Sequence, residues 1–325
     1  MIRLISDIKE FKELKEIWNN VEQKSVFSSF IWNFNSWKYL KQKGDRLAVY
    51  LYENKKRWLI FPFKYKTFYH KNICLPISSI YLSDYFQPAA SSDHISLEEY
   101  AYATKEIVSN YLQNSDYISV PNVQTTSKFF QVLNSNIISS NYRIEEIVDI
   151  ECPRIVLNEF NINSIKKSKL KKILRKNRQL EPYSFKYISS SEAFSNLLPV
   201  LLEFNTQWWN YKDSIGLINS NSEKIFMLET LNTLFIKNRI LCSVVYKNDA
   251  PASIGIAFKD FGTASYYVFG HDIKYEKSSI GNTHWYNILK SLPRTFLTLD
   301  FMRGGDEHKY NFSAKPGISK TIRIY

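Results

Sequence analysis

The sequence predicts an α+β fold in two domains, and three observations predict it. At about 150 residues per domain, a chain of 325 residues holds two. Its apolar content of 44%, with 16% aromatic residues, supplies a core and rules out a disordered chain. The second half reads as an antiparallel run of strands, then a helix, then one more strand, which is not the alternation of a doubly wound fold.

The first half begins with a helix that Asp7 can cap, running through Phe11, Leu14 and Trp18, and a second, aromatic helix spans roughly Phe30 to Leu40. Leu47 to Tyr52 and Trp58 to Phe63 alternate or run apolar around the polar turn Glu53-Asn54-Lys55-Lys56, the signature of a hairpin. Pro76 to Ser96, rich in Ser, Asp and Pro, reads as a long loop of the kind that carries function in compact domains. Helix, strand, helix and strand follow at about 97–113, 116–120, 124–134 and 142–150. The boundary falls near Pro153, giving domains 1–153 and 154–325. Helices near 162–180, 191–208 and 222–237 precede strands at about 240–246, 252–259 and 263–269, the first two joined by a Lys247-Asn248-Asp249 turn. A helix near 281–291 then leads into a strand from Phe296 to Phe301, and no internal repeat occurs.

With 43 basic and 31 acidic residues the net charge is +12, which points to an anionic partner. The charge is concentrated: residues 154–190 hold ten cations against Glu159 and Glu181, a net +8. Within this stretch Ile162, Ile165, Leu170, Ile173, Leu174 and Leu180 recur near helical spacing and Pro182 ends the run, so it reads as a basic amphipathic helix, with residues 166–178 as its basic face. Such a helix is either a solvated outer face or a binder of phosphates on tRNA, a cofactor or anionic lipid headgroups. Cys74, Cys152 and Cys242 are scattered and odd in number, which predicts no disulfide framework and no metal site, and fits a reducing, cytoplasmic compartment. The first residues lack an apolar signal core and no stretch is long enough to span a bilayer, so a soluble chain is expected, one that could still lie peripherally at the inner membrane.

Three local signals suggest chemistry. The string Asp300-Phe301-Met302-Arg303-Gly304-Gly305-Asp306-Glu307-His308-Lys309-Tyr310 unloads charge beside a flexible Gly pair at a strand end. It is a reactive loop or a salt-bridged turn, and His308 reads as a surface or packing residue. Lys274 to Asn282 precede a helix starting near Gly281, whose free N–H groups suit an anion, or simply a cap. Trp208, Trp209 and Tyr211 close one helix, while Tyr266 and Tyr267 lie in a strand; adjacent tryptophans cannot share one helical stripe, so one of them lines an interface or a groove.

These residues resemble the GNAT-fold acyltransferases of the CelD-like and FemAB-like branch, which are built from two GNAT-like halves. The resemblance rests on Phe27-Ser28-Ser29-Phe30-Ile31-Trp32 with Trp37, on Leu82-Ser83-Asp84-Tyr85 with Pro88, and then, in order, on the basic helix, Trp208-Trp209, the strand to Phe258, the Gly281 turn and the Asp300 to Tyr310 string. It implies two domains, each a mixed, mostly antiparallel sheet flanked by helices, with the N-terminal half on the acceptor side. It also implies direct transfer of an acyl group, usually from acyl-CoA such as acetyl-CoA, to an amine of an amino sugar or peptide in a bacterial cell-envelope or polysaccharide precursor, without a metal. By the same resemblance Tyr267, Val268 and Phe269 hold the donor, and Lys277, Ser278, Ser279, Gly281 and Asn282 cradle its phosphates. Lys309 lies near the transferred carbonyl, Asp84 or else Glu307 orients or deprotonates the amine, Asp300 and Arg303 organise the site, and Tyr85, Trp208, Trp209 and Tyr211 line the acceptor groove. Aligning the family's phosphate loop on Gly281 puts Glu276 where an Arg or Gln is usual and Ser279 at the first glycine. Fem relatives take the acyl group from aminoacyl-tRNA and carry an arm of two long helices, a pair not evident here. A catalytically inactive module that binds nucleic acid or an anionic membrane is the third reading.

Overall fold

A computed structural model describes the chain apart from residues 20–24, 56, 79–80, 92–94 and 215. The elements run β1 Ile2–Ile5, α1 Ile8–Glu13, α2 Lys15–Asn19, α3 Phe30–Leu40, β2 Arg46–Asn54, β3 Arg57–Phe68, β4 Lys71–Pro76, β5 Ala89–Ala90, α4 Leu97–Leu112, β6 Tyr117–Gln124, α5 Lys128–Leu133, α6 Asn136–Ser139 and β7 Ile144–Glu151. They continue with β8 Arg154–Val156, α7 Lys167–Leu180, β9 Tyr183–Ile188, α8 Ser191–Tyr211, α9 Asn221–Ile236, β10 Ile240–Lys247, β11 Ala250–Asp260, β12 Thr263–His271, α10 Ile280–Ser291, β13 Thr298–Asp300, α11 Glu307–Tyr310 and β14 Ile318–Ile324. Two compact units result: Met1–Ile150 together with Ile318–Tyr325, and Glu151–Gly317.

The first unit is a sheet in the order β1-β2-β3-β4-β6-β14-β7, with β5 paired to β3. Side chains alternate across a strand, so Val49, Leu51 and Ile60 pack with Phe11, Trp18 and Phe30 of the early helices. Their neighbours Ala48, Tyr50, Leu59 and Phe61 pack with Ile107, Tyr111, Phe129 and Ile138 of α4 to α6. Burial on both faces is why β2 and β3 read as apolar runs. Asn54 pairs with Arg57, so Glu53 and Asn54 of the expected turn belong to β2; Lys56 lies outside the described residues, as do parts of the 76–96 loop. The helix expected from 124 starts at Lys128, because β6 runs on to Gln124 and the Ser127 hydroxyl caps the Phe130 amide.

The second unit is a sheet in the order β8-β13-β12-β11-β10-β9, antiparallel except for β12 beside β13. With the first sheet it makes the molecule a mixed α/β structure of two helix-flanked sheets, each mostly antiparallel. Trp285, Ile288 and Leu289 of α10 cover Leu241, Ala257 and Tyr266 on one face, while α8 and α9 pack on the strands from the other. The single helix expected over 162–180 is two pieces, a 3₁₀ turn Ile162–Ser164 and then α7. Ile165 and Lys166 are extended between them, with Ile165 anchored in the core. Among the described residues no helix is long and apolar enough to cross a membrane, and no cluster of His, Cys, Asp and Glu could hold a metal ion.

Candidate functional site

In the second unit β12 and β13 pair in parallel only from Thr263–Thr298 to Ser265–Asp300. From Tyr266 to His271 the edge of β12 away from β11 therefore has no strand beside it among the described residues. A bulge on this stretch leaves Tyr267 as the extra residue, since Ala257 pairs with Tyr266 and Ile256 with Val268. The bulge resets the alternation. Tyr266 and Phe269 both reach Trp285, with ring centroids 4.8 and 5.4 Å away, whereas Tyr267 turns to the other face, onto Phe258 and the Met227 sulfur. The carbonyl of Phe269 points out of the ladder and accepts from Asn205 Nδ2 of α8 at 3.2 Å. The other end of that amide, Asn205 Oδ1, is buried and has no hydrogen-bond partner among the described residues. Buried acceptors left unpaired are uncommon and call for an explanation.

Beyond β12 the chain forms a 3₁₀ turn, Ile273–Ser278, and enters α10 through Ser279. Ser279 is left-handed, φ 57°, the conformation a glycine adopts without strain, and it occupies the first-glycine position of the family's loop. Glu276, at the position expected to carry an Arg or Gln, bonds His271 Nε2 at 3.0 Å. Burial pushes the His271 imidazole below its ordinary value, although Glu276 and Asp272 oppose this. The first amides of a helix lack intrahelical acceptors, and Gly281 lies in this first turn of α10; the Asn282 amide already donates to the Ser279 carbonyl at 3.0 Å, and Lys277 is exposed beside the turn. From α7, Lys176 Nζ donates to the Lys277 carbonyl at 3.0 Å. The basic helix thus reaches the same loop, so that lysine charge and the positive end of the α10 dipole fall together there.

The Asp300 to Tyr310 string folds as a braced loop. Buried Asp300 accepts from the Met302 amide at 2.6 Å. Lys309, 7% exposed, donates to the carbonyls of Arg303 at 2.9 Å and Gly304 at 2.7 Å and lies 3.4 Å from Asp306. An ammonium has three protons, so Lys309 clamps its own loop and only the contact to exposed Asp306 is readily exchanged. Glu151, which the local string does not contain, completes the brace. Its carbonyl accepts from the Gly304 amide at 2.8 Å and its carboxylate from the Tyr310 hydroxyl. That bond drives the phenol up to about 12. Gly305 lets the Glu151 carboxylate lie against the loop, since a Cβ there would make that side chain move aside. Glu307 and His308 are exposed; Lys169 of α7 is close enough to help hold the His308 imidazole below its ordinary value, after desolvation and the opposing pull of Asp306.

The tryptophan pair divides its contacts. Trp209 lies against Gly216, while Trp208 meets the His271 ring tilted at 53° and 4.8 Å and takes Lys212 over its own ring, with exposed Tyr211 alongside. His271, Asn205 and Glu151 were missed in the sequence because each acts on a residue that only folding brings near.

In the first unit Trp32 Nε1 donates to Ser83 Oγ at 2.8 Å, and Asn122 Nδ2 to the Ser83 carbonyl at 3.0 Å. The aromatic opening motif and the Ser-Asp-Tyr loop thus meet inside one unit. Asp84 and Tyr85 are buried there, Tyr85 with φ 52°.

No curated protein matches the sequence. Among solved structures the chain is similar to FemX, at 8% identity and TM-score 0.63, covering 100% of this chain and 97% of that one. It is also similar to a conserved protein of unknown function from Bacteroides thetaiotaomicron, at 11% identity and TM-score 0.62, over 100% and 99% of the two chains. A third likeness is to the C-terminal domain of a putative lysylphosphatidylglycerol synthetase from Agrobacterium fabrum, at 10% identity and TM-score 0.59, over 98% and 92%. At these identities the likeness is one of fold. Residues 165–310, inside the second unit, match the family model described as an acetyltransferase (GNAT) domain, which places that unit with enzymes of the N-acyltransferase type.

Proposed function

We propose that the protein transfers an acyl group from an acyl-CoA to an amine of an envelope or polysaccharide precursor, an amino sugar or a peptide. The observation that carries this reading is the open edge of β12 after Ser265, bulged at Tyr267 and ending at the α10 N-terminus. The residues present fit the donor. A pantetheine arm carries amide N–H groups, and the unpaired Asn205 Oδ1 beside the Phe269 carbonyl is a buried acceptor for one of them. A pyrophosphate suits the α10 amides with Lys277 and Lys176, and the Glu276 carboxylate is engaged with His271. The bound thioester supplies an activated carbonyl: the amine nitrogen bonds to its carbon, the C–S bond breaks, and a proton ends on sulfur.

The chain's own residues bind and orient. Tyr267, Val268 and Phe269 present the strand edge, and Lys277, Ser278, Ser279, Gly281 and Asn282 the phosphate cradle. Lys309, with Asp300 and Arg303, fixes the loop that follows β13; its ammonium stabilises a carbonyl oxygen by exchanging the Asp306 contact. Exposed Glu307 receives the amine proton within this unit, and Asp84 of the first unit is the second candidate for that task. Trp208, Trp209, Tyr211 and Tyr85 are assigned to the acceptor.

A second reading, an aminoacyl-tRNA donor as in Fem enzymes, is favoured by one observation. Lys167, Lys171, Lys172, Arg175 and Arg178 are exposed along one side of α7, and no ion pair to any of them occurs among the described residues. Calorimetric titration with acetyl-CoA and longer acyl-CoAs separates the two. Saturable binding is expected, with Asn205→Leu and Lys277→Gln each weakening it about fivefold to tenfold, the loss of one charged or buried polar contact. No binding to any acyl-CoA would shift the assignment to the tRNA donor, and full binding by both variants would remove the cradle assigned here.

A further inference from the structure

The β3–β4 hairpin of the first unit runs past its neighbours. β2 pairs with β3 only as far as Arg46–Tyr65, and β6 meets β4 only at Ile73 and Cys74. Residues 66–71 therefore project as a two-stranded finger about 10 Å long at the usual strand rise. Its tip is a two-residue turn, Tyr69-His70, between the paired residues Phe68 and Lys71. Both turn residues are left-handed, φ 45° and 65°, at positions that normally go to Asn or Gly. A tyrosine and a histidine are held in strained backbone there, and the outcome is exposure. Phe68 is 54% and Tyr69 83% exposed, with their rings edge to face at 4.4 Å.

The surroundings of this tip are cationic. The finger and the adjoining turn, residues 64–71 and 41–46, hold Lys41, Lys43, Arg46, Lys64, Lys66 and Lys71 against Asp45, and the Asp116 carboxylate at the base of the finger accepts from the Asn72 amide at 2.7 Å. The Asp45 carboxylate is paired with Lys64 at 2.7 Å and its side chain is wholly buried. Lys66 bonds Gln42 Oε1, which ties the two segments together. Lys41, Lys43 and Lys71 are exposed.

We infer that this finger docks the protein on an anionic bilayer, Phe68 and Tyr69 entering the headgroup layer and the lysines facing lipid phosphates. Aromatic rings with one polar end favour that interface, and clustered lysines favour anionic lipid within a Debye length of the surface. A protein partner fits less well. Two rings at the apex of a projection cannot form the core of a standard interface, which needs about 800 Å² from each partner. The inference concerns the first unit alone and stands whether or not the acyl-transfer reading holds.

The test is co-sedimentation of the full chain with vesicles of phosphatidylglycerol and phosphatidylcholine in equal parts, and of phosphatidylcholine alone. Binding is expected on the anionic vesicles, and the double variant Phe68→Ser, Tyr69→Ser should lose at least about tenfold of it. Lys66→Gln with Lys71→Gln should lose about fivefold or more, on anionic vesicles only. Phe68, Tyr69 and Lys71 are exposed and Lys66 is half-buried on Gln42, so an unchanged melting temperature is the check that each variant is folded. The three native cysteines are buried, which lets Tyr69→Cys be labelled selectively with a polarity-sensitive thiol dye whose emission should rise on anionic vesicles. No vesicle binding, or binding by the aromatic double variant equal to that of the unaltered protein, overturns the inference. A dye that stays in water while the protein sediments also overturns it, by moving the lipid contact elsewhere, such as the α7 face.

Discussion

His284 of α10 is fully buried between two serines, with Nδ1 2.8 Å from Ser253 Oγ and Nε2 2.8 Å from Ser243 Oγ. Ser253 passes its proton to the Gly270 carbonyl at 3.2 Å, and Ser243 makes a longer contact of 3.4 Å to Gly255. A neutral imidazole donates once and accepts once. The Ser243 hydroxyl, with the weaker alternative, is thus the one that donates to Nε2, leaving Nδ1–H for Ser253. Burial, helped by His271, lowers the imidazole to about 3. The folded state keeps it neutral while the unfolded chain takes up a proton below about 6.5, so its contribution is complete above that pH and falls as pH drops towards 3. Urea titrations should show the unaltered protein losing about 1.4 kcal/mol per pH unit more than His284→Gln between about pH 6 and pH 4. Parallel slopes would mean that His284 is solvated or already charged. This residue left no trace in the sequence, since its partners stand on β10 and β11 and only the register joins them. The 300–310 string was legible because its purpose is local: Lys309 closes a loop on carbonyls five and six residues away.

Elements were readable where capping and period coincide. α4, α8 and α9 each begin after a serine whose hydroxyl accepts from the amide three residues on, at Ser96, Ser190 and Ser220, and β10 to β12 are long apolar runs. Other strands were not readable. β9 is an edge strand of half-buried and exposed residues, β8 has three residues, and β14 loses its alternation at a register shift between Lys320 and Ile322 and finds its partner β6 nearly two hundred residues earlier. α8 is no protruding arm; it packs along β12. The contact is closest at Gly270, where a Cβ would stand 2.9 Å from Phe204 Cβ, 3.0 Å from the Leu201 carbonyl and 3.1 Å from the Asn205 nitrogen. Two of those atoms are helix backbone and cannot swing aside. Gly270→Ala should therefore cost about 1–3 kcal/mol through overpacking and, by lifting Asn205 from the strand edge, weaken acyl-CoA binding as well. A urea midpoint and an affinity both equal to those of the unaltered protein would show that α8 has room to move.

At the scale of the molecule, the second unit is an insertion in the first. β14 lies between β6 and β7, with Ile322 opposite Val120 and Ile324 opposite Ile118. A chain stopped after Gly317 should keep the second unit and lose part of the first. Hydrogen exchange would then report amides of β6 and β7 released at least about tenfold while β10 to β12 stay protected. Protection of β6 equal to that in the longer chain would mean that β14 only decorates a finished sheet.

That insertion also orders the events of synthesis. On a ribosome the first hundred and fifty residues emerge with a place left empty between β6 and β7, and β7 has no neighbour to hold it. The inserted unit emerges whole and can close first. Until Ile318–Tyr325 arrives, the earlier-made unit carries an unpaired β6 edge, the kind of edge on which other chains can pair. The half made first is thus the half finished last, and its risk of aggregation depends on how quickly the final strand is delivered.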